Sequence, residues 1–159
     1  MKLSSQDREK IDISDDRIFY QYPRYVNHLS VSFRERLTKL YSKYIFENNV
    51  ILDLMSSWVS HLPENIRYKQ VIGHGMNEKE LVANKRLDRF WIQDLNKTQI
   101  MPMEDSTVDI VLIVAGWQYL QYPEKVSIEL SRILKKDCLL IISFTNRAFW
   151  TKSPNIWTN

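Results

Sequence analysis

The run Val50-Ile51-Leu52-Asp53-Leu54 constrains this chain more than any other stretch. Consecutive β-branched and aliphatic residues suit a parallel strand covered on both faces. In an open α/β sheet built of such strands, ligands bind in the crevice beyond the strands' carboxyl ends. Asp53 stands near that end and leads into the turn Met55-Ser56-Ser57-Trp58, which makes it a candidate ligand contact. An aspartate that only caps the turn through its side chain is an equal alternative.

The rest of the chain repeats strand and helix signals in alternation. Ser32 and Glu35 fit a capping box for a helix whose apolar face carries Phe33, Leu37, Leu40, Tyr41 and Tyr44 and which ends at Asn48-Asn49. After Trp58 there is room for a turn or two of helix, and Tyr68 to Gly73 then reads as a second strand. Asn77 with Glu80 starts a helix running to about Asn84, and Arg89 to Gln93 is a third strand. Val108 to Val114 is the most strand-like run of all. Pro123 opens a helix with Val126, Leu130, Ile133 and Leu134 on one face, Asp137 takes a left-handed turn, and Cys138 to Phe144 is a fifth strand. This order predicts an α/β fold, doubly wound around a mainly parallel sheet with right-handed connections.

Length and charge narrow the possible functions. The 159 residues suffice for one domain, expected over 17–159 behind a flexible, charged N-terminal arm at 1–16. The formal charge of +3 comes from bases interleaved with acids, without the clustered basic surface that nucleic acid requires. No window has the makings of a signal core or a membrane span, so a cytoplasmic location is expected. Cys138 is the single cysteine, which excludes a disulfide within the chain and points to a buried thiol. His28, His61 and His74 lack metal-ligand spacing, and no metal site is expected. The 3 glycines leave no G-x-G-x-x-G and no P-loop, which makes a nicotinamide-dependent oxidoreductase a weak reading.

Met103-Glu104-Asp105-Ser106-Thr107-Val108-Asp109-Ile110-Val111 resembles the entry into the fourth strand of the class I S-adenosylmethionine-dependent methyltransferases, particularly the type 11 kind. Trp117-Gln118-Tyr119-Leu120 and Leu130-Ser131-Arg132-Ile133-Leu134-Lys135 resemble the segments that follow it in that family, and the likeness extends roughly from Phe19 to Asn146. Phe19 to Arg24, Leu52 to Trp58 and Gly75-Met76-Asn77 also resemble a narrower subgroup. The resemblance implies a Rossmann-like fold, S-adenosyl-L-methionine as cofactor and methyl transfer to a small-molecule acceptor. The alternative is a catalytically inactive relative that serves as an interaction module.

The first family motif reads D-x-G-x-G-x-G; Asp53 matches its aspartate, while Met55 and Ser57 stand at glycine positions. The acid that usually ends the second strand and holds the ribose is replaced by Gly75, and Asp94 matches the acceptor for the adenine amino group. The implied cofactor site is thus Asp53, Met55, Ser56, Ser57, Gly75, Met76, Asn77, Asp94 and Leu95. The implied acceptor pocket is Tyr20, Tyr22, Trp117, Gln118, Asn146 and Arg147. Methyl displacement relies largely on positioning, so no catalytic residue is assigned, although His61 or His74 would serve as a base if it faced the cleft. The family fold closes with a further helix and an antiparallel hairpin, for which Thr145 to Asn159 is too short. That predicts a sheet lacking the hairpin, a truncated product, and an exposed fifth-strand edge open to self-association.

Overall fold

The computed structural model describes residues 3–158; Met1 and Lys2 of the expected arm, and Asn159, lie outside the described residues. Five strands, β1 (Val50–Leu54), β2 (Gln70–Gly75), β3 (Arg89–Ile92), β4 (Val108–Val114) and β5 (Leu134–Ser143), form one sheet in the order β3-β2-β1-β4-β5. Every pairing in it is parallel, as the alternation predicts. The chain moves outward from β1 to β3 and returns on the other side with β4. That reversal opens a crevice beyond the carboxyl ends of β1 and β4.

Period-two alternation along β1 feeds two cores, one on each face. Leu52 and Leu54 pack with Val111, Ile113 and the helix α5 (Pro123–Ile133), which contributes Val126, Leu130 and Ile133. Ile51 faces the other way, with Val71, Leu112 and the helix α3 (Val31–Tyr44), which contributes Leu37 and Tyr41. Full burial of each such aliphatic side chain contributes about 2 kcal/mol. The short helices α1 (Ser5–Arg8), α2 (Asp16–Phe19) and α4 (Glu78–Ala83) complete the fold.

Several boundaries differ from expectation. Ser30, not Ser32, caps α3: its backbone is extended and its hydroxyl accepts from the Phe33 amide at 3.3 Å, so Ser32 is already helical. That helix stops at Tyr44, short of Asn48-Asn49. No helix forms between β1 and β2; Pro63 sits mid-segment, where a helix would lose an amide donor, and Leu62 is buried instead. β2 begins at Gln70 rather than Tyr68, where pairing with Val50 starts. Asp137 is left-handed, at φ 60°, but inside β5, which already begins at Leu134. It accompanies a register shift between Val108 and Ile110, the behaviour of a β-bulge.

The expected loose arm is docked. The Arg8 guanidinium pairs with Glu124 at 2.6 Å, and Lys10 forms an antiparallel bridge with Pro154. Charges that look solvated in sequence find partners more than a hundred residues away. Cys138 is half-buried on β5 rather than buried, and burial raises its thiol pKa. β5 is an edge strand on which Leu139 and Leu140 are 41% and 38% exposed, and no strand follows it among the described residues. Among the described residues no helix is long and apolar enough to cross a membrane.

Candidate active site

A cleft of about 500 Å³ opens at the carboxyl ends of β1, β2 and β4. Segments around 10–34 and 145–152 contribute the rest of its lining. Asp53 is buried at its base, accepting from the hydroxyls of Ser56 at 2.7 Å and Ser60. Burial pushes the Asp53 pKa up to about 6 against the pull of those two hydroxyls. It therefore caps the turn and also lines the cleft.

Met55 adopts φ 59°, the left-handed region that glycine enters freely. Its amide donates to Nδ1 of His74 at 3.1 Å, and Nε2 of the same ring lies 3.0 Å from the Gln93 carbonyl. This network makes Nδ1 the acceptor and Nε2 the donor. Burial pulls the His74 pKa down to about 4, so the ring is neutral and both nitrogens are engaged. His74 is structural. His61 also lines the cleft, and burial and then the charge of Arg34 lower its pKa.

Ser56, Ser57, Met76 and Gly75 follow on the same side. A Cβ on Gly75 would lie 2.7 Å from the Ser56 carbonyl oxygen, so the turn after β1 occupies the space an acidic side chain would need. Another buried carboxylate, which the sequence reading treats only as a helix-start signal, lies nearby. Glu80 accepts from the Ser57 hydroxyl at 2.6 Å and from the Arg24 amide at 2.7 Å. Asn77 caps α4 through Oδ1, at 3.1 Å from the Glu80 amide, while Nδ2 donates to the Tyr20 carbonyl at 2.7 Å. One asparagine thus starts a helix and holds the aromatic segment beside the cleft. Asp94 accepts from the Asn96 amide at 2.9 Å and lines the cleft with buried Leu95.

Of the expected acceptor residues, Tyr20 and Arg147 line the cleft, and burial raises the Tyr20 hydroxyl pKa. The other four do not line it. Tyr22 is 71% exposed, Asn146 is exposed, and Trp117 packs against the apolar core. Gln118 is buried and donates to the Ala115 carbonyl at 2.9 Å. Trp117–Tyr119 forms a 3₁₀ turn after β4.

An ion cluster of the lining leaves no mark in the sequence. Lys152 is 1% exposed; its ammonium donates to the Ser14 carbonyl at 2.8 Å and lies 3.1 Å from Asp12 and 3.3 Å from Asp16. Lys10 meets the other Asp16 oxygen at 2.6 Å. No local signal could reveal this, because the partners come from opposite ends of the chain. Among the described residues no group of three or more His, Cys, Asp or Glu is arranged to hold a metal ion.

A family model described as "Methyltransferase domain" matches residues 55–142, more than half of the chain. Among solved structures, a SAM-dependent methyltransferase from Aquifex aeolicus is 17% identical, covers 80% of this chain and 80% of its own, and has a TM-score of 0.55. The YcgJ protein of Bacillus subtilis is 16% identical, with 68% of this chain and 49% of that chain covered and a TM-score of 0.56. Haemonchus contortus phosphoethanolamine N-methyltransferase 1, in complex with phosphoethanolamine and S-adenosylhomocysteine, is 15% identical; coverage is 76% and 28%, and the TM-score 0.57. The chain spans about half the length of YcgJ and of two further structures it matches. No curated protein matches the sequence.

Proposed function

Because this chain belongs to the type 11 methyltransferase domain family, we propose that it binds S-adenosyl-L-methionine in the cleft and methylates a small-molecule acceptor in the cytoplasm. The observation that carries this reading is the convergence of Asp53, Glu80 and Asp94 on one cavity at the strand ends. The Haemonchus contortus protein, which shares the fold, is a methyltransferase holding S-adenosylhomocysteine, and this supports a cofactor site of that kind.

The residues fit the cofactor. A volume of about 500 Å³ lies within the range of small-molecule sites. Met55, at φ 59°, supplies the backbone conformation for which the family uses glycine. Asp94 would hold the adenine amino group, and Asp53 with Ser56 and Ser57 would face the methionine end. Glu80 would take the ribose in place of the acid that Gly75 replaces; each of its oxygens accepts one hydrogen bond and has a lone pair left. When bound, the cofactor supplies an electrophilic methyl group on a cationic sulfur. The chain's part is to orient and to exclude water, with the face of Tyr20 favouring the positive charge.

Calorimetric titration with S-adenosylmethionine and S-adenosylhomocysteine, on this chain and on Asp94→Ala, tests the reading. Binding that weakens in the variant is expected. Absence of heat at millimolar ligand overturns it, and binding untouched by the substitution rejects the adenine assignment. A second reading, a non-catalytic module that pairs through its sheet edge, is favoured by the exposed leucines of β5.

A further inference from the structure

Three arginines of the cleft have no part in holding the cofactor. Arg24, Arg34 and Arg147 line it, and none forms a salt bridge among the described residues. Lys10 and Lys152 differ, since Asp12 and Asp16 neutralise them. Nη2 of Arg24 donates to the Phe19 carbonyl at 2.8 Å, and its guanidinium lies 4.5 Å from the Phe19 ring centre and 5.5 Å from that of Phe149. Aromatic rings favour the charge but do not match the fork of N–H donors that a guanidinium presents to an oxyanion. Nε of Arg34 is buried without a hydrogen-bond partner, which is unfavourable unless an acceptor arrives.

The carboxylates of the cleft have partners of their own, Asp16 in the two lysines. Asp53 and Glu80 are satisfied by serine hydroxyls and a backbone amide and Asp94 by a backbone amide, and they belong to β1, α4 and the end of β3. The unpaired cations come from the 24–34 segment and from Arg147. The carboxylates lining the cleft thus have partners within the chain, while three guanidinium groups of the same lining have no carboxylate. A guanidinium so placed presents its N–H donors to an anion from solution.

We propose that the methyl acceptor is an anion, a small molecule whose carboxylate or phosphate group is held by these arginines. The word acceptor rests on the methyltransferase reading; anion binding does not. The test is calorimetric titration of 4-hydroxybenzoate, phenyl phosphate and uncharged 4-hydroxybenzamide into the protein, with and without saturating S-adenosylhomocysteine. Arg24→Gln, Arg34→Gln and Arg147→Gln are measured beside the parent chain. Arg147 is exposed, so its variant keeps the fold whatever happens at Arg24, and melting curves check all three. Expected is binding of at least one anion about tenfold tighter than the amide. At least one variant loses a similar factor, and whichever of the two anions binds more tightly identifies the group. Equal binding of anion and amide, no anion binding at millimolar concentration, or wild-type affinity in all three variants overturns the inference. Anion binding in a chain that ignores S-adenosylhomocysteine would instead overturn the methyltransferase reading while the anion site stands.

Discussion

The backbone amide of Met55 donates to Nδ1 of His74, so a buried histidine on β2 fixes the left-handed residue that follows β1. A proton on Nδ1 would abolish that bond. The shape of the turn at the base of the cleft is thus linked to the neutral state of His74.

This linkage has an opposite neighbour in Asp53. The His74 pKa falls from 6.5 to about 4 on folding, so as pH drops the unfolded chain takes up its proton first and stability is lost between those values. The Asp53 pKa rises from 3.8 to about 6, so the folded chain takes up its proton first and stability is gained as pH drops from about 6 to 3.8. Each effect is roughly 3 kcal/mol, and they nearly cancel. Urea unfolding at about pH 7 and about pH 4.5 is expected to show Asp53→Asn losing stability on acidification relative to the parent chain, and His74→Gln gaining it. Parallel pH profiles for all three proteins would refute the linkage.

Gly75→Asp restores the residue type the family places at the end of the second strand. Its Cβ would meet the Ser56 carbonyl at 2.7 Å, and backbone cannot yield as a side-chain tip does. A loss of about 1–3 kcal/mol in chemical denaturation is expected, with no gain in affinity for S-adenosylhomocysteine. Tighter binding in the variant would show that the turn after β1 moves aside.

Lys152→Met removes a buried ammonium and leaves Asp12 with the Ser14 amide and Asp16 with Lys10 and Asn96. Breaking a buried ion cluster from one side costs about 3 kcal/mol. Hydrogen exchange is expected to rise in residues 8–16 and 149–155 while β1 and β4 stay protected. Exchange that rises equally in the sheet would contradict a local role.

Leu140→Lys places a charge on the open edge strand. If the edge pairs two copies, sedimentation velocity shows the parent chain associating with rising concentration and the variant monomeric. Identical profiles dismiss pairing through this edge.

How legible the molecule is in its sequence depends on how local the signal is. Val108–Val114 and Pro123–Ile133 are read with little error because apolar period and a helix-start proline lie within the elements themselves. The parallel order follows from alternation. Ser32 is mistaken for the cap because Glu35 completes a capping box with it, whereas Phe33 at the same spacing from the true cap, Ser30, gives no such signal. At the cleft, Asp53 is visible from its place near the end of β1, and Met55 and Asp94 through the family resemblance. Glu80 is hidden behind its helix-start pattern, and Lys10, Asp16 and Lys152 are invisible because their pairing depends on tertiary closure.

The pairing of Lys10 with Pro154, and of Lys152 with Ser14 and Asp12, ties the covering of the cleft to residues near both ends of the chain. All five strands lie within residues 50–143, so the sheet does not depend on these tethers while the cover does. Removing residues from Lys152 onward should leave the centre folded yet open above Asp53.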